Sequence, residues 1–189
     1  AVAGGGGDVL LHYGKGRAAA EAIQKEVRPA TCQLLQADLG EANAPAAPAR
    51  AATAAAPRID VVVNNAGIFE PVSVNTSSEA WSAAWERVLR VNLHAPAELS
   101  KLAIPHFRDH GGGKITNIAS RAAHRGDAPD QWPYAASKGA LVALTKTIAR
   151  GFAKDNVLAF AIAPGFTDTD MAYTGLDDDG IKRIIADIP

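Results

Sequence analysis

A stretch of five residues, Asp60-Val61-Val62-Val63-Asn64, constrains the fold of this chain more than any other feature. An almost unbroken apolar run, in place of an apolar/polar alternation, suits a strand covered on both faces, as in a parallel sheet. It predicts a strand over Ile59–Asn64, and similar runs predict strands over Val9–Tyr13, Thr31–Gln36, Lys114–Ala119 and Val157–Ala163. Longer amphipathic stretches between them predict helices over Arg17–Val27, Ala46–Ala56, Ser78–Asn92, Pro96–His110 and Pro133–Lys154, with a last one over Asp177–Ala186. Gly111-Gly112-Gly113 closes one helix and turns the chain into the next strand, because glycine accepts positive φ at little cost. Strand–helix–strand alternation implies right-handed crossovers and an α/β fold, a doubly wound parallel sheet with helices on both faces. Ligands of such sheets sit beyond the carboxyl ends of the strands, so functional residues are expected just after each strand.

The 189 residues show no internal repeat and no shift in composition, so residues 1–189 read as a single domain long enough to bury a core. With 19 Lys+Arg against 20 Asp+Glu, a formal charge of −1 gives no electrostatic reason for nucleic acid as a partner. No apolar run approaches the roughly 20 residues that cross a bilayer, so no membrane partner is expected. A single cysteine, Cys32, fits a reducing compartment, and a cytoplasmic location is the expectation. None of the five histidines shows a ligand pattern, so no metal is expected; His106 and His110, four apart on a helix, read as a surface pair.

Chemistry concentrates after the later strands. In Tyr134-Ala135-Ala136-Ser137-Lys138, the phenol and the amine are four apart and share one helix face. An ammonium beside a phenol favours phenolate and brings a pKa of about 10 towards useful acid–base work. Alone, such a pair is common on helix surfaces. Ser120, at the end of the Lys114–Ala119 strand and 14 residues before Tyr134, could converge with it on one substrate oxygen, or could simply cap a turn. Asn64-Asn65-Ala66-Gly67 follows the most apolar strand, with amides to satisfy a loop and a glycine that lets a flat ligand approach the main chain. No Gly-x-Ser-x-Gly elbow or histidine-plus-acid set is present, which disfavours acyl-enzyme hydrolysis.

Taken in order, these residues resemble the short-chain dehydrogenase/reductase family over roughly Asp8 to Pro189, and the wording Tyr-Ala-Ala-Ser-Lys and Pro-Gly-Phe-Thr-Asp-Thr-Asp-Met is most similar to 3-oxoacyl-(acyl-carrier-protein) reductase-like members. The resemblance implies a Rossmann-like sheet and a nicotinamide-dependent oxidoreductase that reduces a ketone, such as a 3-oxoacyl thioester, or oxidises the matching alcohol. It implies Ser120, Tyr134 and Lys138 as catalytic residues, with Asn92 organising a water for proton relay. It also implies cofactor contacts from Asn64, Ala66, Gly67, Tyr134, Lys138, the Pro164-Gly165 turn and Thr169, and an adenine contact from Asp38. By charge, Lys15 and Arg17 suit a 2′-phosphate, so NADP(H) is expected over NAD(H), with two solvated charges as the plainer reading.

Arg121, Arg125 and Trp132 fall in the loop expected to shape the substrate pocket, together with residues 169–179, with solvated or structural loop arginines as the plainer reading. The helices Pro96–His110 and Pro133–Lys154 match those through which relatives form a homodimer or homotetramer, and Leu141, Leu144, Ile148 and Phe152 give an apolar stripe that serves such an interface or packing on the sheet. The family's first strand and its glycine-rich phosphate turn have no counterpart ahead of Val9, and its last strand has none before Pro189. Ala1–Gly7 is therefore expected to join pieces of a longer N-terminal region. The alternative function is a non-catalytic dinucleotide-binding or scaffold protein of the same fold.

Overall fold

A computed structural model describes residues 7–27, 31–41, 45–167 and 177–186. The elements run β1 (Val9–Tyr13), α1 (Arg17–Glu26), β2 (Cys32–Gln36), α2 (Ala46–Ala55), β3 (Val61–Asn64), α3 (Ser78–Leu89), α4 (Ala95–Asp109), β4 (Gly113–Ile118), α5 (Ala122–Arg125), α6 (Trp132–Phe152), β5 (Val157–Ile162) and α7 (Asp178–Ala186). All pairings are parallel, so each connection crosses over through a helix, as the alternating pattern requires. The strands form two groups, β1 with β2 and β3-β4-β5 in that order.

In the second group, Val62, Ile115 and Ala159 lie opposite one another, as do Asn64, Asn117 and Ala161, so these rows share one face. That face carries the core: Ile115 and Val157 meet Ile104 and Phe107 of α4 and Ile148 of α6, with Val62, Leu144 and Phe152 packed around them. A Cβ at Gly113 would collide with the Phe107 ring, so glycine at the start of β4 is what lets the ring seat there. Leu141 and Ile148 of the α6 stripe are buried within the chain and Leu144 and Phe152 pack on its core, so the stripe serves sheet packing. On the opposite face, Val61, Val63, Leu158, Phe160 and Ile162 are exposed, with helix cover seen only on the first face among the described residues.

Two expected helices prove to be one continuous rod. Ser78–Asn92 and Pro96–His110 join through a wide π turn, Arg90–His94, in which the Ala95 N–H donates to the Arg90 carbonyl. Pro96 has no N–H, so the Asn92 carbonyl loses the donor four residues ahead of it; the extra residue in the turn absorbs the mismatch without breaking the helix. No helix among the described residues is long and apolar enough to cross a membrane. Nor do the described residues contain a group of three or more His, Cys, Asp or Glu that could hold a metal ion.

Candidate active site

The carboxyl end of β4 and the start of α6 bring the expected residues together. Ser120 follows β4 after Ala119, and two backbone bonds fix its neighbours: Ala119 N–H donates to the Ile162 carbonyl at 2.7 Å and Arg121 N–H to the Pro164 carbonyl at 3.1 Å. The Pro164-Gly165 turn is thus held directly against Ser120. The Ser120 hydroxyl accepts from Ala122 N–H at 3.2 Å, the turn-capping role open to any serine there, and it lies near enough to the Tyr134 phenol to favour its ionised form. Tyr134, on the first turn of α6, is half-buried, with its ring edge-on to Phe69 at 5.2 Å.

One turn further along α6, Lys138 is 4% exposed, and its Nζ donates to the Ile118 carbonyl at 2.8 Å. Burial lowers the Lys138 pKa to about 8, and the nitrogen sits 5.7 Å from the centre of the Tyr134 ring. The expectation that this amine pulls the phenol below its ordinary pKa is not met. Burial pushes Tyr134 up, the nearby Ser120 hydroxyl opposes it and the Asp127 carboxylate adds to it. The physical reason is that burial brings Lys138 to about 8, so the amine has lost its charge before the phenol ionises and cannot offset desolvation of the phenolate.

Asn92 sits in the π turn with no exposed surface. Its Oδ1 accepts from Ile68 N–H at 2.8 Å, and its Nδ2 donates to the Ile68 carbonyl at 3.0 Å and to Ser137 Oγ at 3.1 Å. Ser137 in turn donates to the Tyr134 carbonyl at 2.7 Å. One side chain therefore clamps the loop after β3 to the helix that carries Tyr134 and Lys138. Gly67 sits between them, where a Cβ would lie 3.4 Å from both Asn92 Oδ1 and Lys138 Nζ, an ordinary contact distance. Ala66 is half-buried beside it, and Asn64 donates through Nδ2 to Asn117 Oδ1 at 2.7 Å, holding β3 to β4.

The remaining predicted residues are more peripheral. Lys15 and Arg17 are exposed just beyond β1, and Arg17 Nε pairs with Glu21 at 2.8 Å. Asp38, exposed after β2, accepts from Gly40 N–H at 2.9 Å. Trp132 is 51% exposed and packs edge-on against Trp81 of α3 at 5.6 Å; Arg121 is half-buried and Arg125 exposed. Thr169 and most of the expected lid lie outside the described residues. His106 is more than half of a surface pair: its Nε2 accepts from Ile59 N–H at 2.9 Å, tying α4 to the entrance of β3, while His110 stacks on it at 4.0 Å.

Sequence reading missed Ser137, Asn117 and Thr145. Asn117 donates to Thr145 Oγ1 at 2.8 Å, and all three side chains are buried. A signal existed for Asn117, which shares the inward face of β4 with Ile115, where a polar residue needs a partner.

A family model described as short chain dehydrogenase matches residues 1–179. Among curated relatives, the 3-oxoacyl-(acyl-carrier-protein) reductase of Thermotoga maritima is 38% identical over 115 residues, 60% of this chain and 45% of that protein. The chain spans about half the length of the curated relatives it matches. Among solved structures, a 3-ketoacyl-(acyl-carrier-protein) reductase from Brucella melitensis complexed with NADH superposes with a TM-score of 0.85 at 28% identity, covering 99% of this chain and 75% of that one. An NADPH-dependent 3-quinuclidinone reductase from Rhodotorula rubra gives a TM-score of 0.85 at 26% identity, covering 96% and 67%.

Proposed function

The chain belongs to the short-chain dehydrogenase/reductase family, and from that premise we propose that it serves an NADP(H)-dependent oxidoreductase that reduces a ketone, or oxidises the matching alcohol, by hydride transfer. The observation that carries the reading is the convergence of the Ser120 and Tyr134 hydroxyls, with the Lys138 amine one helical turn away. Two hydroxyls on one oxygen stabilise the negative charge that grows on a carbonyl as its carbon is reduced. A phenol held above its ordinary pKa is protonated near neutrality, which is the state a proton donor to an alkoxide requires. Oxidation of an alcohol needs the phenolate instead, so that direction gains with rising pH.

The residues present suit a nicotinamide dinucleotide. Gly67 leaves main chain open beside Lys138, whose ammonium spends one of three donors on Ile118 and keeps two for sugar hydroxyls. When bound, the nicotinamide supplies the hydride and the protein supplies the proton. Tyr134 O–H gives its proton to the substrate oxygen, and Lys138 restores it. Asn92 contributes to that relay through its main-chain carbonyl, relieved of a helical donor by Pro96, since its side chain is fully engaged. The Pro164-Gly165 turn, beside Ser120, and Thr169 complete the nicotinamide side, with Asn64 and Ala66 supporting the loop. Asp38 offers a carboxylate to the adenine.

NADP(H) is favoured by Lys15 and Arg17 beyond β1; Arg17 is bonded through Nε alone to Glu21, leaving its terminal nitrogens for a phosphate. The relatives named above favour a 3-oxoacyl thioester or an alicyclic ketone as substrate, with Trp132, Arg121 and Arg125 at the entrance. Homodimers or homotetramers through the outer faces of α4 and α6 are the assembly proposed, and the exposed Leu102 of α4 fits such a contact. The test follows absorbance of NADPH and NADH with a panel of small ketones and 3-oxoacyl thioesters. Turnover with a kcat/KM at least tenfold higher for NADPH supports the reading. Binding of NADPH without oxidation across the panel favours a non-catalytic dinucleotide-binding protein instead.

A further inference from the structure

The inward face of β4 carries Ile115 and then Asn117, and burying an amide in that apolar layer is costly unless hydrogen bonds compensate. Asn117 Oδ1 accepts from Asn64 on β3 at 2.7 Å, and Asn117 Nδ2 donates to Thr145 Oγ1 on α6 at 2.8 Å. The Thr145 hydroxyl in turn donates to the Leu141 carbonyl at 2.7 Å. Asn64, Asn117 and Thr145 are 5%, 0% and 3% exposed, so water cannot replace a lost partner without entering the core.

Thr145 lies seven residues beyond Lys138, which puts both on one face of α6, about 10 Å apart along its axis. Asn117 is the residue before Ile118, whose carbonyl receives the lysine. Two polar anchors therefore join α6 to consecutive residues of β4: a short, rigid one at Asn117–Thr145 and a long, flexible one at Ile118–Lys138. A slide or rotation of α6 breaks the rigid anchor first, whereas the four-carbon lysine stem can follow the movement.

We propose that Asn117 and Thr145 are positioning residues that fix the register of α6 on β4 and so set where the Lys138 amine and the Tyr134 hydroxyl stand relative to Ser120. This rests on the reductase reading for its consequence in turnover, though not for the placement itself. The apolar contacts of Ile148 and Leu144 with Ile115 and Val157 hold the helix to the sheet but are not directional; the amide–hydroxyl bond is.

The test uses the full chain with Thr145→Val, which keeps the shape and deletes the hydroxyl, Thr145→Ser, which restores it, and Thr145→Cys, which keeps the volume but accepts weakly. Isotope-edited NMR follows the titration of Lys138, expected near 8 in the unaltered chain. The valine variant is expected to move it upward by a unit or more, the cysteine variant in the same direction by less, and the serine variant hardly at all. In parallel, kcat is expected to fall about tenfold in the valine variant at a temperature well below its melting point, with KM for the carbonyl within twofold, and to recover with serine. A lysine titration unmoved in whichever of the valine and cysteine variants folds overturns the proposal, as does serine failing to restore it. If the unaltered chain is inert with every carbonyl while the titration still moves, the placement stands and the reductase reading is what fails.

Discussion

Asn92→Ala is the sharpest structural perturbation the site allows. The side chain has no exposed surface, and the substitution removes three hydrogen bonds: one from Ile68 N–H at 2.8 Å, one to the Ile68 carbonyl at 3.0 Å and one to Ser137 Oγ at 3.1 Å. Each intramolecular bond contributes about 1 kcal/mol net, and a buried partner left unmatched costs about 1–3 kcal/mol. Ser137 keeps its donation to the Tyr134 carbonyl, so the main loss falls on the two Ile68 backbone groups. Part of that is offset if water reaches the space, giving a destabilisation of about 3–4 kcal/mol. At roughly 2–4 °C per kcal/mol for a domain of this size, the melting temperature drops by about 6–16 °C. Urea unfolding with the midpoint and slope fitted separately measures the loss, and single-turnover absorbance reports the chemistry. A loss below about 1 kcal/mol with an unchanged slope would falsify the clamp.

Three further outcomes are expected. Burial and the stacked His110 hold His106 below its ordinary pKa, against the opposing pull of Asp109 and Asp60, so the folded chain binds fewer protons there than the unfolded one. Its contribution to stability is whole above about pH 6.5 and is lost as the pH falls below that value; melting temperatures between pH 7.5 and 5 should fall more steeply in the unaltered chain than in His106→Gln, whose amide oxygen can accept from Ile59 without titrating, and parallel slopes would contradict this. Lys138→Met removes a poorly solvated ammonium, so the melting temperature should rise at neutral pH while turnover falls at least a hundredfold; a variant both less stable and fully active would reverse the assignment. The Lys15→Ala, Arg17→Ala double variant should lose kcat/KM for NADPH at least tenfold more than for NADH, and an equal loss would remove the phosphate role.

Much of the fold was legible because parallel strands leave local signatures. Val9–Tyr13 matches residue for residue, and the other strands and most helices differ by one or two positions at their ends, where hydrogen bonding with neighbours sets the boundary; α3 ends three residues earlier than expected and the short α5 was not anticipated. The join of α3 and α4 was not legible. Proline after Ala95 reads as a helix start, and only the long-range partners of Asn92, on Ile68 and Ser137, make a continuous rod with a π turn the better solution. The same limit applies to the site. Spacing placed Ser120, Tyr134 and Lys138 near one another, but the direction of the tyrosine pKa depends on how deeply it and the lysine are buried. Both are properties of the assembled β4–α6 contact, not of any segment. Asn117 and Thr145 are 28 residues apart in sequence, and nothing local marks them as partners.

The central claim is that the Tyr134 hydroxyl gives its proton to a substrate oxygen as a hydride reaches the neighbouring carbon. Tyr134→Phe deletes only that oxygen and keeps the edge-on contact with Phe69, so the fold should survive. Pre-steady-state oxidation of NADPH with the best ketone of the panel should slow by about 10²–10⁴-fold, with coenzyme binding unchanged. Oxidation of NADPH by that variant at the unaltered rate would contradict the claim.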